Sequence, residues 1–398
     1  MPIVLAFSGG LDTSFCVPFL KETYGEDVIT VTVNTGGFTT IALKELERRS
    51  IELGAAEHIT VEARDELFRD HISYLIKGNV LRGNVYPLCV GPERVVQARH
   101  VAEQAKRLNA TAIAHGSTGA GNDQVRFDVA MTVLADDINL IAPIREHGFS
   151  RSFTTSYLFK RGFGVSASTT SYSINAGLWG TTIGGKETLT PEEPLPESAW
   201  VNTKSPSSTP EQTVQLRIEF EQGIPVAVDG TGLDPVSLVE RLTTIGNEYG
   251  VGRGVHVGDT ILGIKGRVAC EAPAASILIN AHRELEKVVL GKWQRFQKDQ
   301  LAEFYGMLLH EGQYLDPVMA DIRAMIDSSQ ERVSGVVTVE LYKGSVRVLG
   351  CASPHSMFAS AIASYGESNT LWNGRDAQGF SKIVGIQSVL THQTALTQ

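Results

Sequence analysis

Val4-Leu5-Ala6-Phe7-Ser8-Gly9-Gly10-Leu11-Asp12-Thr13-Ser14 runs from an apolar strand through two glycines into a segment whose Leu11, Phe15, Phe19 and Leu20 recur at helical spacing. Strand, glycine turn and helix in that order make an anion site. Glycines let backbone N–H groups approach oxygen closely, and the helix N-terminus adds partial positive charge. Ser8, Thr13 and Ser14 add hydroxyl donors. Asp12, at the helix start, is placed to cap the first turn or to help hold the Mg²⁺ that accompanies a triphosphate. The loop is neither a Walker A sequence, having no lysine for the terminal phosphates, nor G-x-G-x-x-G. A plain glycine turn capped by Ser and Asp is the competing reading of these residues alone.

Outward from this loop, apolar runs at 3–7, 28–33, 58–61, 111–114 and 138–142 alternate with helix-length amphipathic segments. Val95, Val96, Val101, Ala102 and Ala105 form one such apolar face. This alternation predicts an α/β fold with a parallel sheet, whose ligands sit beyond the carboxyl ends of the strands. After Gly164 the chain turns Ser/Thr/Gly-rich and then Pro-punctuated from Pro191 to Pro210, so a boundary is expected near 165. Hairpins at 213–220/224–228 and 336–341/345–349, with helices at 234–249 and from about 277 through 309, predict an α+β second domain. The expected division is 1–165, 166–365 and a tail, 366–398. The tail's Ile383, Val384, Ile386, Val389 and Leu390 leave two readings open, a helix packing on another subunit or a frayed terminus.

The 398 residues are 42% hydrophobic, enough for a full core, and carry a formal charge of −9. That balance argues against a general nucleic-acid surface. Cys16, Cys89, Cys270 and Cys351 form no C-x-x-C pair, so neither a zinc knuckle nor a disulfide framework is indicated and a reduced, cytoplasmic setting fits. No basic n-region opens the chain and no long apolar run is present, which predicts neither secretion nor membrane insertion. Cys16 reads as a small core residue.

A second stretch, His115-Gly116-Ser117-Thr118-Gly119-Ala120-Gly121-Asn122-Asp123-Gln124-Val125-Arg126-Phe127, follows the fourth apolar run. It offers glycines for backbone approach, an amide and a hydroxyl, and the charged pair Asp123 and Arg126. Those groups suit a small zwitterion beside a nucleotide, although Asp123 and Arg126 also fit a local ion pair at a helix start. The first loop resembles the pyrophosphate loop of the ATP pyrophosphatase superfamily, which splits ATP between its α and β phosphates. Together the two stretches closely resemble the argininosuccinate synthase family, and the likeness continues through Ile141–Arg145, Gly250–Arg253, Gly263–Arg267, Ser329–Val333 and Val336–Gly350.

The resemblance implies an adenine nucleotide alpha hydrolase-like nucleotide-binding domain, a synthetase domain and a C-terminal oligomerisation tail, usually in a homotetramer. It implies ATP with Mg²⁺, aspartate and citrulline as small-molecule ligands, with no nucleic acid and no membrane. The ureido oxygen of citrulline would attack the α-phosphorus, and the amine of aspartate would then displace AMP from the adenylate. By family pattern, Ala6, Phe7, Ser8, Gly9, Gly10, Leu11, Asp12, Thr13, Ser14, Val33 and Gly116 fall to ATP. Thr118, Asn122 and Asp123 fall to aspartate, and Tyr86, Asn122, Arg126, Ser173 and Thr182 to citrulline. Asp12, Ser14, Arg94 and Asp123 are the residues expected to carry the chemistry. Arg94 is a further anion contact by the same pattern, with a solvated helix-start arginine as the other reading.

Three family anchors for the ureido substrate depart. Gly91 stands for a serine, Gly258 for a glutamate and Cys270 for a tyrosine, while Ala120 stands where many members carry lysine. Asp259 or His256 is the nearest substitute for the missing acid, and a related ligase joining aspartate to a modified ureido compound or another activated acid is the alternative. Two side roles complete the expectations: His115 packs at a strand end rather than acting as a base, and Trp179 either closes the pocket or sits at an interface. A tRNA-modifying superfamily member and a non-catalytic binding homologue are the competing functions; the charge and scattered cysteines disfavour the first, the intact loops the second.

Overall fold

Ile3–Ala6 (β1) is the central strand of a five-stranded parallel sheet, flanked by Val28–Asn34 (β2) and Ala112–Ala114 (β4), with Glu57–Glu62 (β3) and Asn139–Ile141 (β5) at the edges. This computed structural model describes residues 1–164, 172–358 and 371–396. Alternation along β1 decides what covers each face: Ile3, Leu5 and Phe7 join one hydrophobic cluster, Val4 the other. Leu11–Tyr24 (α1) covers the first face, its Phe15 ring packed against Phe19, Phe149 and Tyr157. β2 is buried at all seven positions, the mark of a strand covered on both faces.

The remaining connections of this half are Thr40–Glu52 (α2), the short Arg64–Leu67 (α3) and Ser73–Lys77 (α4) joined by a π-helical turn, Gly91–Arg107 (α5) and Asn122–Leu134 (α6). Pro143–His147 (α7) and Arg151–Lys160 (α8) complete it. Strand order β3-β2-β1-β4-β5 reverses direction between β1 and β4. The loops leaving those two strands therefore open on one crevice, the ordinary ligand position in such sheets.

Two antiparallel sheets follow. Ser173–Gly177 (β6) and Gly180–Gly184 (β7) pair with Arg253–Asp259 (β11) and Lys265–Glu271 (β12) in the order β11-β12-β7-β6. The Ser/Thr/Gly-rich texture had suggested no strands there. Val214–Glu221 (β8), Ile224–Val228 (β9), Thr231–Gly232 (β10), Gly335–Tyr342 (β13) and Ser345–Ala352 (β14) form the other sheet, including both expected hairpins. Pro235–Glu248 (α9) matches expectation. The single helix expected from about 277 through 309 is two, Pro273–Val289 (α10) and Lys292–His310 (α11), because Leu290 and Gly291 are extended. Apolar periodicity continues across that break because both helices bury a face. Val318–Gln330 (α12) follows.

Met1–Pro354 forms one compact unit and His355–Gln398 a second. The boundaries expected at 165/166 and 365/366 lie outside the described residues. In the second unit, Gly374–Ala395 (α13) opens on a capping box: Asn373 Oδ1 accepts from the Arg375 and Asp376 amides, and the Asn373 amide donates to Asp376.

Candidate active site

The first loop folds as its glycines require. Gly9 has φ 72°, a left-handed conformation, and a Cβ there would lie 2.1 Å from Leu46 Cδ2 on α2. Ser14 Oγ donates to the Gly9 carbonyl at 3.3 Å, and the Ser8 amide points at Thr13 Oγ1 at 3.4 Å. The N-cap of α1 is Gly10, which has no capping side chain, so Asp12 stands inside the first turn and does not cap it. Burial raises the Asp12 carboxyl above its ordinary pKa, with Arg151 opposing.

The second loop touches the first. A Cβ on Gly116 would meet the Thr13 side chain at 3.0 Å and the Thr13 amide nitrogen at 3.1 Å, so glycine lets the two loops close up. His115 is buried. The Ser117 amide donates to its Nδ1 at 3.2 Å, which leaves Nε2 protonated and donating to Asp128 at 2.8 Å. Arg145 closes on the other Asp128 oxygen. His115 is thus packed at the end of β4 with both ring nitrogens engaged.

Asp123, in the first turn of α6, is held from two sides. Arg94 Nε donates to one of its oxygens at 2.9 Å and Arg126 NH1 to the other at 2.8 Å. Burial would raise this carboxyl, but Arg94 and then Arg126 outweigh it and hold its pKa below the usual range. Arg94 is itself largely buried, at 11% side-chain exposure, and also gives NH1 to Gln97 at 3.1 Å and NH2 to Asn175 at 2.9 Å. It is no solvated helix-start residue. Arg126 Nε donates to the His310 carbonyl at 2.9 Å, and the His310 ring sits between Arg126 and Arg82. Burial and those two guanidiniums push the His310 pKa down to about 3.

Of the residues matched to the ureido end, Ser173, Thr182, Gly258 and Cys270 fall on one face of the β11-β12-β7-β6 sheet. Register places Thr182 opposite both Asn175 and Cys270, and Cys270 opposite Gly254. Ser173 shares the parity of Asn175 but is exposed, whereas Tyr86, Thr182 and Cys270 are buried. Tyr86 stacks 6.1 Å from His256, and its hydroxyl accepts from the Val90 amide at 3.3 Å. Trp179 is buried and donates to the Pro87 carbonyl at 2.9 Å, fixing the segment that carries Tyr86. The Asn122 side chain accepts from the Ile261 amide at 2.9 Å, tying the β11–β12 turn to α6. Val33 is buried near the end of β2, Ala6 ends β1 and Leu11 starts α1. Thr118 and Ala120 are exposed on the loop.

At two of the departures, Gly91 and Gly258, neighbours lie close to where a side chain would start. A Cβ on Gly91 would lie 3.2 Å from the Leu309 carbonyl, so α5 and α11 meet there too closely for an easy serine. At Gly258 a Cβ would lie 2.5 Å from His256 Nε2. Asp259 pairs with Lys265 at 2.6 Å on the exposed turn, and burial and Arg82 lower the His256 pKa and keep it neutral. Neither supplies a free anion.

A cavity of about 400 Å³ opens beyond β2 and β3, lined by Asn34, Gly36, Gly37, Phe38, Thr39, Thr40, Leu43, Glu62, Arg64 and Glu240. Leu43 lies one turn before Leu46, the residue against Gly9. Sequence reasoning missed Glu93, Gln97, Asn175 and His310. Asn175 was findable, since it alternates with Ser173 on one strand; His310 lies far away in sequence and carried no local signal.

Family comparisons agree along the chain. The model described as Arginosuccinate synthase N-terminal HUP domain matches residues 2–163, and that described as Arginosuccinate synthase C-terminal domain matches 172–391. An argininosuccinate synthase of Xanthomonas campestris pv. campestris is 40% identical over 404 residues, covering 98% of both chains. Those of Methanocaldococcus jannaschii and Sulfurisphaera tokodaii are 37% and 38% identical, covering 97% and 99% of both chains respectively. A solved structure from M. jannaschii, described as a predicted subunit of tRNA methyltransferase, matches 39% of this chain and 73% of its own at 18% identity and a TM-score of 0.28, too low to carry an argument. Full-length identity at this level, over both domains and through both loops, places the chain in the argininosuccinate synthase family.

Proposed function

We propose that the chain joins citrulline to aspartate at the expense of ATP, releasing AMP and pyrophosphate. The observation that carries the mechanism is the closure of the two loops at Gly116 and Thr13, with Asp123 clamped by Arg94 and Arg126 beside them. The loop from Ser8 to Ser14 receives the pyrophosphate, its backbone and α1 neutralising the departing charge. The cavity beyond Val33 takes the nucleoside, on the strength of its contact through α2 with the phosphate loop. Asp123, an anion held between guanidiniums, orients the amine of aspartate, while Thr118 and Asn122 serve its carboxylates. Tyr86, Arg126, Ser173 and Thr182 serve the ureido substrate. No covalent enzyme intermediate is needed, so positioning carries the rate.

Among the described residues no three His, Cys, Asp or Glu side chains gather as a metal cage. A partly buried carboxyl whose opposing charge is Arg151 nevertheless fits a cation arriving with phosphate oxygens, and Asp12 would hold Mg²⁺ in that way. Bound there, Mg²⁺ supplies charge neutralisation at the leaving pyrophosphate. No described helix is long and apolar enough to cross a membrane. A cytoplasmic homotetramer is the proposed setting, supported by reduced cysteines and by the exposed Phe380, Ile383, Val384, Val389 and Leu390 of α13.

A pyrophosphate-release assay tests the reaction. Release should require ATP, citrulline and aspartate together, with KM values from roughly micromolar to low millimolar. No release with that set would overturn the assignment.

A further inference from the structure

Glu93 belongs to none of the roles above, yet it is among the most completely buried charged side chains, at 2% exposure. It stands next to Arg94 in the first turn of α5, and its Oε2 lies 3.7 Å from Arg94 NH1, beyond hydrogen-bond reach. Its Oε1 is buried without a hydrogen-bond partner. The carboxyl is wedged under β6: a Cβ on Gly177 would fall 1.4 Å from Oε1, so glycine there makes the space the acid occupies. Arg94 meanwhile directs Nε to Asp123, one N–H of NH1 to Gln97 and one of NH2 to Asn175, with none in hydrogen-bond reach of Glu93. One guanidinium thus lies between two carboxyl groups and is committed to only one.

We propose that Glu93 is a positioning residue for the aspartate end of the site: as an uncharged acid it leaves Arg94 committed to Asp123, and as a carboxylate it draws Arg94 away. Ionised Glu93 would also add negative charge beside a substrate that is itself a net anion. Both effects weaken aspartate binding in the same direction. The surroundings favour the uncharged form at neutral pH. Burial raises the Glu93 pKa to about 8, Arg94 opposing and Asp123 reinforcing. The groups facing it are Arg94 on its own helix, Asp123 with Arg126 behind it on α6, Asn175 on β6, and Cys89, whose thiol burial keeps protonated. Among these, Glu93 is the group that changes charge just above neutrality.

The inference rests on reading Arg94 and Asp123 as the aspartate end. Its test is the pH dependence of KM for aspartate and of kcat, between pH 7 and 9.5, with ATP and citrulline saturating. KM should rise about ten-fold across that range while kcat changes little. In Glu93→Gln the ratio of KM at the two pH values should collapse to that set by the substrate's own amine. An equal rise in both proteins overturns the proposal, as does a flat wild-type profile. Infrared titration of the wild-type enzyme provides the second readout: a protonated-carboxyl C=O band should vanish between pH 7 and 9.5, and a band that persists or was never present overturns the proposal even if the variant does not fold. No aspartate-dependent turnover at pH 7 would instead defeat the functional reading itself.

Discussion

Asp123 shows how one side chain ties two halves of the site together. Arg94 comes from α5 and Arg126 from α6, and each reaches onward, Arg94 to Asn175 and Arg126 to the His310 carbonyl. Removing the shared anion leaves two cationic groups with unmet hydrogen bonds, one of them Arg126 at 5% exposure. Asp123→Asn should raise KM for aspartate and lower stability by about 1–3 kcal/mol. Urea denaturation and steady-state kinetics check both; unchanged values would mean that the clamp is a surface decoration. The carboxylate's own stabilising effect is present above its unfolded pKa, near 4, and is lost as pH falls through its lower folded value.

At the scale of elements, glycines decide which pieces approach. Gly9 lets α2 reach the phosphate loop, Gly116 lets the two loops touch, and Gly177 lets β6 ride over Glu93. α13 is the opposite case, a capped helix with a largely exposed apolar side. Ile383 and Leu390 lie two turns apart on it, so Ile383→Glu with Leu390→Glu places two charges on one stripe. Light scattering should then report a smaller assembly than the proposed tetramer of the wild type, with the fold of the main unit retained by circular dichroism. A tetramer surviving both charges would exclude α13 as the subunit contact.

The whole molecule should be acid-sensitive. His71 is buried in the π-helical turn between α3 and α4, its ring tilted against that of Tyr314 at 4.3 Å, with neither ring nitrogen partnered. Burial pushes its pKa down to about 3, as it does for His310. Folded values lie below the unfolded 6.5, so the unfolded chain takes up these protons first and stability falls as pH drops from about 6.5 towards 3. Each histidine contributes a slope of up to about 1.4 kcal/mol per pH unit. His71→Phe keeps a ring of similar shape and removes two orphaned polar atoms, so it should fold at least as stably at pH 7 and show a shallower loss down to pH 4.5. Urea midpoints at pH 7, 5.5 and 4.5 measure this, and an unaltered slope would rule His71 out as its source.

The parallel sheet and both loops were legible in the chain itself. Buried strands covered on two faces read as apolar runs, and glycines beside strand ends announce close backbone approach within a few residues. The roles expected of residues from Ser8 to Ser14 and from His115 to Phe127 came from the family resemblance, since the residues alone left competing readings open. The β11-β12-β7-β6 sheet was not legible, because its strands are rich in glycine and small polar residues, and β7 and β12 bury consecutive positions rather than every second one. Arg94 gained a meaning the chain did not announce, a bridge from α5 to Asp123 on α6 and Asn175 on β6. Only the fold could bring Glu93, Gly177, Asn175 and His310 to the same clamp. Local sequence determines which backbone can bind an anion; long-range packing decides which buried charges share a partner, because desolvation and Coulomb attraction depend on neighbours that chain order does not name.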